Sequence, residues 1–153
     1  MKLTDILEES SIVVDLQARD KTEALEVLVD AMTRNNQTVD QQKILTILLE
    51  REKLGSTGIG DGIAIPHGKS KELTQIISGF GVSKQGIAFD SLDGKPAHLF
   101  FLLVAPENSV GTHLKLLARI SRMLKNVDFR EKLLETNSQH EIYQIISEED
   151  AKY

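Results

Sequence analysis

The sequence predicts an α/β domain with a mixed β-sheet of about four to six strands and helices on both faces. Short apolar segments alternate along the chain with amphipathic helical segments, which is typical of this fold class. Residues 99–104 are apolar at every position, as expected for a central strand between two layers of helices. The 153 residues, of which 41% are hydrophobic, fit one folded unit, so residues 1–153 are predicted to form a single domain.

One short strand and two helices are predicted first. Residues 12–14 form the strand, and apolar residues at helical spacing predict a helix over 22–34. Asp20 is the predicted N-cap of that helix, and Glu23, three residues on, completes a capping box. A second amphipathic helix is predicted over 40–53, because its apolar residues repeat at the same spacing.

A glycine-rich segment follows the second helix. Residues 55–69 read GSTGIGDGIAIPHGK and hold five of the ten glycines in the chain. Glycines at this density mark a backbone that turns tightly or lets another group approach closely. The segment is therefore predicted to be a loop, and His67 lies where it ends.

The second half of the chain is predicted to hold two strands and three helices. An irregular segment through 87–89 separates the two strands. The first of the three helices is long, and its predicted core face carries Leu114, Leu117, Ile120 and Leu124. The predicted elements are strands over 76–82 and 99–104, a long helix from Ser109 or Val110, and helices over 128–134 and 139–146.

Composition and charge exclude several classes of function. The 18 basic and 23 acidic residues give a net charge of −5, and no basic block offsets it, so nucleic acid and anionic membranes are not predicted partners. The chain has no cysteine, which excludes disulfides, thiolate metal sites and cysteine nucleophiles. The longest apolar run, over 99–105, is far shorter than the roughly 20 residues that cross a bilayer. Because the N-terminus also lacks a signal-peptide core, we expect a cytoplasmic protein without membrane insertion.

Phosphate-loop and metal-site motifs do not fit the sequence. Residues 68–70 and 58–60 resemble parts of a P-loop and of a dinucleotide fingerprint, but the glycine that each motif needs falls at Ile63. No carboxylate is spaced to complete a zinc site with a histidine, so no metal site is predicted. No two of the four histidines are at i, i+4 spacing, since they stand at 67, 98, 113 and 140.

Three side chains have both a structural and a functional interpretation in their sequence context. His67 is either a turn histidine without a role or a nucleophile on a rigid loop whose backbone N–H groups face an anion. His113 is either a surface residue in the first turn of a helix or a group beside an anion at the positive end of the helix dipole. Arg51 is either an exposed ion pair with Glu50 or Glu52 or a charged donor near the glycine-rich segment.

Several segments resemble the enzyme IIA domains of the fructose/mannitol class in the bacterial phosphoenolpyruvate-dependent phosphotransferase system. They are LEREKLGSTGIG at 49–60 and IAIPHGK at 63–69. Pro106 with THL at 112–114 resembles the family's second histidine segment, and IAFD at 87–90 is also similar. The resemblance covers nearly the whole chain, and REKLGSTG and AIPHGK are most similar to the free-standing nitrogen-regulatory branch.

The resemblance implies a phosphotransferase component that carries a phosphoryl group. The family's phosphorylated histidine corresponds to His67, its second active-site histidine to His113 and its arginine to Arg51. Arg51 and His113, together with Thr57 in the glycine-rich segment, are the predicted phosphoryl-binding residues. No cofactor or metal is implied. The implied phosphoryl donor is a small histidine-containing phosphocarrier protein of the HPr type.

Two functions are compatible with this resemblance. The protein is either a regulatory switch whose phosphorylated and unphosphorylated forms bind regulatory target proteins differently, or a sugar-specific enzyme IIA that passes the phosphoryl group to a separate IIB domain. In this class the IIB domain uses a cysteine, which the chain lacks. The similarity to the nitrogen-regulatory branch and the absence of fused modules favour the switch.

If one phosphoryl group contacts both histidines, His67 and His113 must lie close together. At a helix N-terminus the dipole lowers the pKa of His113 and favours a nearby anion. The loop around His67 allows one ring nitrogen to be held by a hydrogen bond while the other faces outward. We therefore expect His67 to accept the phosphoryl group and His113 to bind it.

Overall fold

A computed structural model describes all 153 residues of the chain. The chain forms five α-helices and one sheet of six strands, so the predicted fold class is confirmed. Two short 3₁₀ turns, Leu3–Asp5 and Glu9–Ser11, precede the first strand. The strands are β1 (Ile12–Val13), β2 (Gly58–Gly60), β3 (Ile63–Ala64), β4 (His67–Ser70), β5 (Ile77–Ile87) and β6 (Ala97–Pro106); the helices are α1 (Lys21–Thr33), α2 (Gln41–Lys53), α3 (Val110–Leu124), α4 (Val127–Glu135) and α5 (Gln139–Asp150).

Strand β6 is the centre of the sheet, whose order is β1-β5-β6-β3-β2, with β4 also paired to β6. Strand β5 runs antiparallel to one side of β6, while β3 and β4 run parallel to its other side. At the edges, β1 is parallel to β5 and β2 is antiparallel to β3. The sheet is therefore mixed, as predicted.

Strands β3 and β4 continue one another along β6. Ile63 pairs with Leu99 and His67 pairs with Leu103, so the register is the same before and after the break. Pro66 lies in the break, where it has no N–H to donate, but its carbonyl accepts from the N–H of Leu103 at 3.0 Å. The prediction that His67 lies in a loop was wrong, because the long central strand orders even short partners beside it.

The sheet carries an apolar core on each face. Phe101 on β6 packs with Phe80 toward α3, α4 and α5, whereas Phe100 packs with Phe89 toward α1 and α2. This alternation follows from the two-residue period of a strand. It confirms the prediction that the segment over 99–104 is a central strand between two helical layers.

The first two helices begin at the residues that the sequence indicates. The side chain of Asp20 accepts a hydrogen bond from the N–H of Glu23 at 2.9 Å and caps α1. Asp40 caps α2 by accepting from the N–H groups of Gln42 and Lys43. Both predicted helices are confirmed within one or two residues.

The predicted core face of α3 was partly wrong. Leu114 is 62% exposed, whereas His113 is buried together with Leu116 and Ile120. These buried positions are three, four and seven residues apart and share one helix face, while Leu114 is rotated by about 100° from His113. A histidine at the first inward position displaced the apolar pattern that the prediction followed.

Strand β5 is longer than the predicted 76–82. Beyond Val82 its register with β6 shifts before pairing resumes at Ile87, and Gly86 within the shift has φ of 85°. Across this irregularity, Nδ1 of His98 lies 2.9 Å from the carbonyl oxygen of Ser83. The bulge explains why strand periodicity is lost after Val82. None of the helices is both long and apolar enough to span a membrane.

Candidate functional site

His67 and His113 meet at one end of the central strand. Their ring centroids are 5.8 Å apart and the ring planes lie at 74° to each other. His67 begins β4, which pairs with the last residues of β6, and His113 lies in the first turns of α3, which follows β6. The predicted proximity of the two histidines is therefore confirmed.

The backbone fixes the tautomer of His67. Its Nδ1 lies 2.7 Å from the carbonyl oxygen of Ile65, and because a carbonyl oxygen only accepts, Nδ1 must carry the proton and donate it. In the neutral ring this leaves the lone pair on Nε2. Burial lowers the pKa of His67 and the charge of Arg51 lowers it further, against opposing effects of the Ile65 carbonyl and of Glu52. The ring is therefore neutral at pH 7, and the lone pair on Nε2 is free.

His113 is buried, with only 3% of its surface exposed. Burial, followed by the positive charges that His67 and Lys69 can carry, lowers its pKa to about 4, so its ring is neutral at pH 7. Its Nε2 is buried and has no hydrogen-bond partner within the chain. An unsatisfied buried polar atom costs about 1–3 kcal/mol. The interpretation of His113 as a surface residue is thus wrong.

The N-terminus of α3 lies beside the two histidines. No side chain caps this end, since Ser109 makes no hydrogen bond to the first-turn N–H groups. Gly111, in that first turn, is exposed and has open space where a side chain would stand. The first-turn N–H groups therefore have no capping side chain as a partner, and the positive end of the helix dipole lies close to His113.

Arg51 lies in the last turn of α2 and forms no ion pair with Glu50 or Glu52. Its Nη1 donates instead to the carbonyl oxygen of Gly55 at 2.8 Å. Its positive charge lowers the pKa of His67. The ion-pair interpretation of Arg51 is not supported by the structure, and the remaining donors of the guanidinium are free to bind an anion.

Glu52 was missed as a candidate, because an acidic residue at the end of a helix is usually solvated. It is only 8% exposed and accepts from Nζ of Lys21 at 3.1 Å and from the N–H of Thr57 at 3.1 Å. The hydroxyl of Thr57 also donates to Glu52. The signal that marks Glu52 is its spacing of four from the buried Leu48.

Thr57 and Lys69 also lie in the glycine-rich segment, residues 55–69. Thr57 is buried and its hydroxyl proton is donated to Glu52, so binding of a phosphoryl group by Thr57 stays a prediction. Lys69 is exposed two residues after His67 on β4, and its charge helps to lower the pKa of His113. In a chain of net charge −5, the site thus gathers Arg51, Lys69 and a helix N-terminus. No group of three histidine, aspartate or glutamate side chains comes together as a metal site.

The comparisons with known proteins agree on one family. The family model described as "Phosphoenolpyruvate-dependent sugar phosphotransferase system, EIIA 2" matches residues 5–149. The chain is 38% identical to a nitrogen regulatory protein of Bradyrhizobium diazoefficiens over 96% of this chain and 95% of that protein. It is 37% identical to the fructose-specific EIIABC component of Bacillus subtilis over 98% of this chain, but it spans only 24% of that protein.

Two solved structures share the fold. The nitrogen regulatory protein IIA-Ntr from Neisseria meningitidis is 34% identical, with a TM-score of 0.87 over 94% of this chain and 98% of that one. Enzyme IIA for mannitol from Escherichia coli, in its complex with phosphorylated enzyme IIB, is 22% identical, with a TM-score of 0.77 over 93% and 99% of the two chains. At that identity the second likeness concerns the fold alone.

Proposed function

The chain belongs to the EIIA 2 family of the phosphoenolpyruvate-dependent sugar phosphotransferase system, and we propose that it accepts a phosphoryl group on Nε2 of His67. The observation that carries this proposal is the hydrogen bond from Nδ1 of His67 to the Ile65 carbonyl, which leaves Nε2 as the free nucleophile. The proposed donor is a phosphocarrier protein of the HPr type in the cytoplasm.

The reaction is a transfer between two histidine side chains. The lone pair on Nε2 of His67 attacks phosphorus, a bond forms between them, and the bond from phosphorus to the donor's ring nitrogen breaks. Each ring keeps the proton on its other nitrogen, so the donor leaves as a neutral imidazole. The ring of His67 gains positive charge, which the Ile65 carbonyl stabilises by accepting the Nδ1 proton in a hydrogen bond.

To catalyse this transfer, the protein has to position the reacting groups and stabilise charge, and it has little covalent chemistry to perform. The transition state is loose and its charge spreads over three phosphoryl oxygens. Arg51 supplies a planar charged donor, and the first-turn N–H groups of α3 supply further donors. Nε2 of His113 has no partner in the chain and can donate to a phosphoryl oxygen when it carries the proton of the neutral ring. Donors that are already in place stabilise this charge without reorganisation.

We propose that phosphorylation acts chiefly as a regulatory switch of the nitrogen type. The nitrogen regulatory relative supports this, because the chain spans 95% of its length. A second candidate function is sugar uptake with transfer to a separate IIB domain, which the fructose-specific relative favours. In the switch, regulatory target proteins bind one form of the protein more tightly than the other, so the phosphorylation state shifts their populations.

Labelling with radioactive phosphoenolpyruvate tests the proposal. The purified chain is mixed with the upstream phosphotransferase enzyme and HPr, and a reaction without HPr is the control. We expect label that is lost in acid and kept in alkali, as for a phosphoramidate. Acid-stable label would contradict transfer to a histidine, and equal label without HPr would contradict HPr as the donor. Release of the label only when a IIB domain and its sugar are added would favour the sugar-uptake function instead.

A further inference from the structure

Glu52 is a buried carboxylate that holds together the chain on both sides of the α2 terminus. Its side chain is inside the protein, and it accepts three hydrogen bonds, from Nζ of Lys21 and from the N–H and hydroxyl of Thr57. Such a carboxylate is stable inside a protein only because it is paired and hydrogen-bonded. The bonds to Thr57 close the chain from the end of α2 to the start of β2 into a compact turn.

Arg51 lies at the N-terminal edge of this turn. It directly precedes Glu52, and its Nη1 donates to the carbonyl oxygen of Gly55, between Glu52 and Thr57. That bond is exposed to solvent, so it does not by itself hold a long flexible side chain in one place. The position of the Gly55 carbonyl depends on the turn that Glu52 closes.

The same carboxylate is connected to two further parts of the chain through Lys21. Nζ of Lys21 lies 3.1 Å from Glu52 and 3.3 Å from Asp90, and 4.7 Å from the centre of the Phe89 ring. Lys21 is the first residue of α1, and the Phe89 ring is buried in the core beneath α1 and α2. The turn is thus fixed to the rigid body of the protein and does not move as an isolated loop.

We propose that Glu52 is a positioning residue for phosphoryl transfer, which holds the turn so that the guanidinium of Arg51 faces His67. This inference rests on the proposed function, because the role of Arg51 is to bind the phosphoryl group. Glu52 does not contact the phosphoryl group. Its effect on the transfer passes through Arg51.

A double-mutant cycle tests this dependence. The variants are Glu52→Gln, Arg51→Ala and the two combined, and the neighbouring exposed Glu50→Gln is the matched control for the loss of one negative charge. We expect Glu52→Gln to lower the maximal rate of phosphoryl uptake from phospho-HPr about tenfold, with the KM for phospho-HPr unchanged. In the Arg51→Ala background the same change should have less than about a twofold effect, since effects that pass through one residue do not add.

Thr57→Val and Thr57→Ser keep the test valid if Glu52→Gln fails to fold, as thermal unfolding would show. Thr57→Val removes the hydroxyl bond to Glu52 and should slow uptake in the same Arg51-dependent way, while Thr57→Ser should restore it. The inference would be overturned if Glu52→Gln or Thr57→Val still slowed uptake tenfold in the Arg51→Ala background. It would also be overturned if the Glu52→Gln protein took up the phosphoryl group as fast as the Glu50→Gln protein.

A nuclear magnetic resonance measurement separates this inference from the proposed function. The Nε–H signal of Arg51 should be sharp and distinct in the unmodified chain and in Glu50→Gln, and should move to the position of a solvated arginine in Glu52→Gln. An unchanged Arg51 signal in Glu52→Gln would overturn the positioning role. This result is read without any phosphoryl transfer, whereas failure of the unmodified chain to take up label would contradict the proposed function alone.

Discussion

The two histidines of the site lie in differently built regions. His67 begins a short strand, is half-buried, and has Nδ1 tied to the Ile65 carbonyl. His113 lies near the start of the long helix α3, is buried, and has an Nε2 without a partner. Burial is the leading reason for the lowered pKa of both rings, so both are neutral at pH 7.

Burial lowers the pKa of both rings, so the proposed difference in role rests on how each ring is hydrogen-bonded. When one ring nitrogen donates to a backbone carbonyl, the lone pair of the other nitrogen is fixed in one direction and can act as a nucleophile. A buried ring with an unpartnered nitrogen beside a helix N-terminus is better suited to bind an anion than to attack phosphorus. His67 and His113 should therefore differ sharply when each is removed.

The largest effect is expected from His67→Ala. Without the nucleophile, uptake of phosphoryl groups from phospho-HPr should fall by more than about 1,000-fold, to the limit of detection. Radioactive labelling at matched protein concentration measures this. The control is His140→Ala, because His140 is exposed and lies far from the site in the sequence, on α5. Label on the His67→Ala protein that equals label on the control would contradict the assignment.

Arg51→Ala should have the next largest effect, a loss of about 100-fold in the uptake rate, because it removes a charged donor from the transition state. Arg51→Lys should restore only part of the rate, since an ammonium group lacks the planar fork of the guanidinium. Thermal unfolding should change little, because the Arg51 side chain bonds only to the exposed Gly55 carbonyl. Lys53→Ala, in the same helical turn, is the control. Full restoration by lysine, or a normal rate in Arg51→Ala, would return Arg51 to a surface role.

A smaller effect is expected from His113→Ala. The variant should still accept a phosphoryl group, about tenfold more slowly, because His67 remains and one hydrogen-bond donor is lost. It should also be poorer at passing the group on or at keeping it. Single-turnover uptake and the half-life of the phosphorylated form measure the two steps. A His113→Ala protein that takes up no label, while His67→Ala does, would reverse the two roles.

The smallest effect concerns stability against pH. Because the folded pKa of His113 is about 4 and the ordinary value is 6.5, the unfolded chain binds more protons in that window. Stability is therefore full above pH 6.5 and falls as the pH drops toward 4. Between pH 7 and pH 5, the free energy of unfolding should drop by about 2 kcal/mol more in the unmodified chain than in His113→Gln. Chemical denaturation at the two pH values measures this difference. An equal loss of unfolding free energy in the two proteins would contradict a buried, neutral His113.

The parts of the fold that the sequence predicts are those with strong local signals. Asp20 with Glu23 and the apolar spacing of α1 and α2 are properties of a single segment, and so is the unbroken apolar run of β6. The family resemblance rested on runs of residues that need no structure, and the match over 5–149 confirms it. Local patterns were sufficient wherever the element was long.

The elements that prediction missed depend on distant partners. Strand β4 has only four residues and exists because β6 pairs with it, so the glycine-rich segment looked like a loop. The burial of Glu52 depends on Lys21, which lies 31 residues earlier, and no spacing rule within α2 reveals that partner. The phase of α3 was misjudged because a histidine, not a leucine, takes the first buried position.

The most direct test of the central claim is the identity of the phosphorylated nitrogen. The protein is labelled with ¹⁵N-histidine, phosphorylated by phospho-HPr, and examined for coupling between phosphorus and the ring nitrogens. We predict coupling to Nε2 of His67, with Nδ1 of the same ring still protonated and bound to the Ile65 carbonyl. Coupling to Nδ1 of His67, or to either nitrogen of His113, would contradict the claim that the Ile65 carbonyl, just before β4, selects the nucleophilic nitrogen.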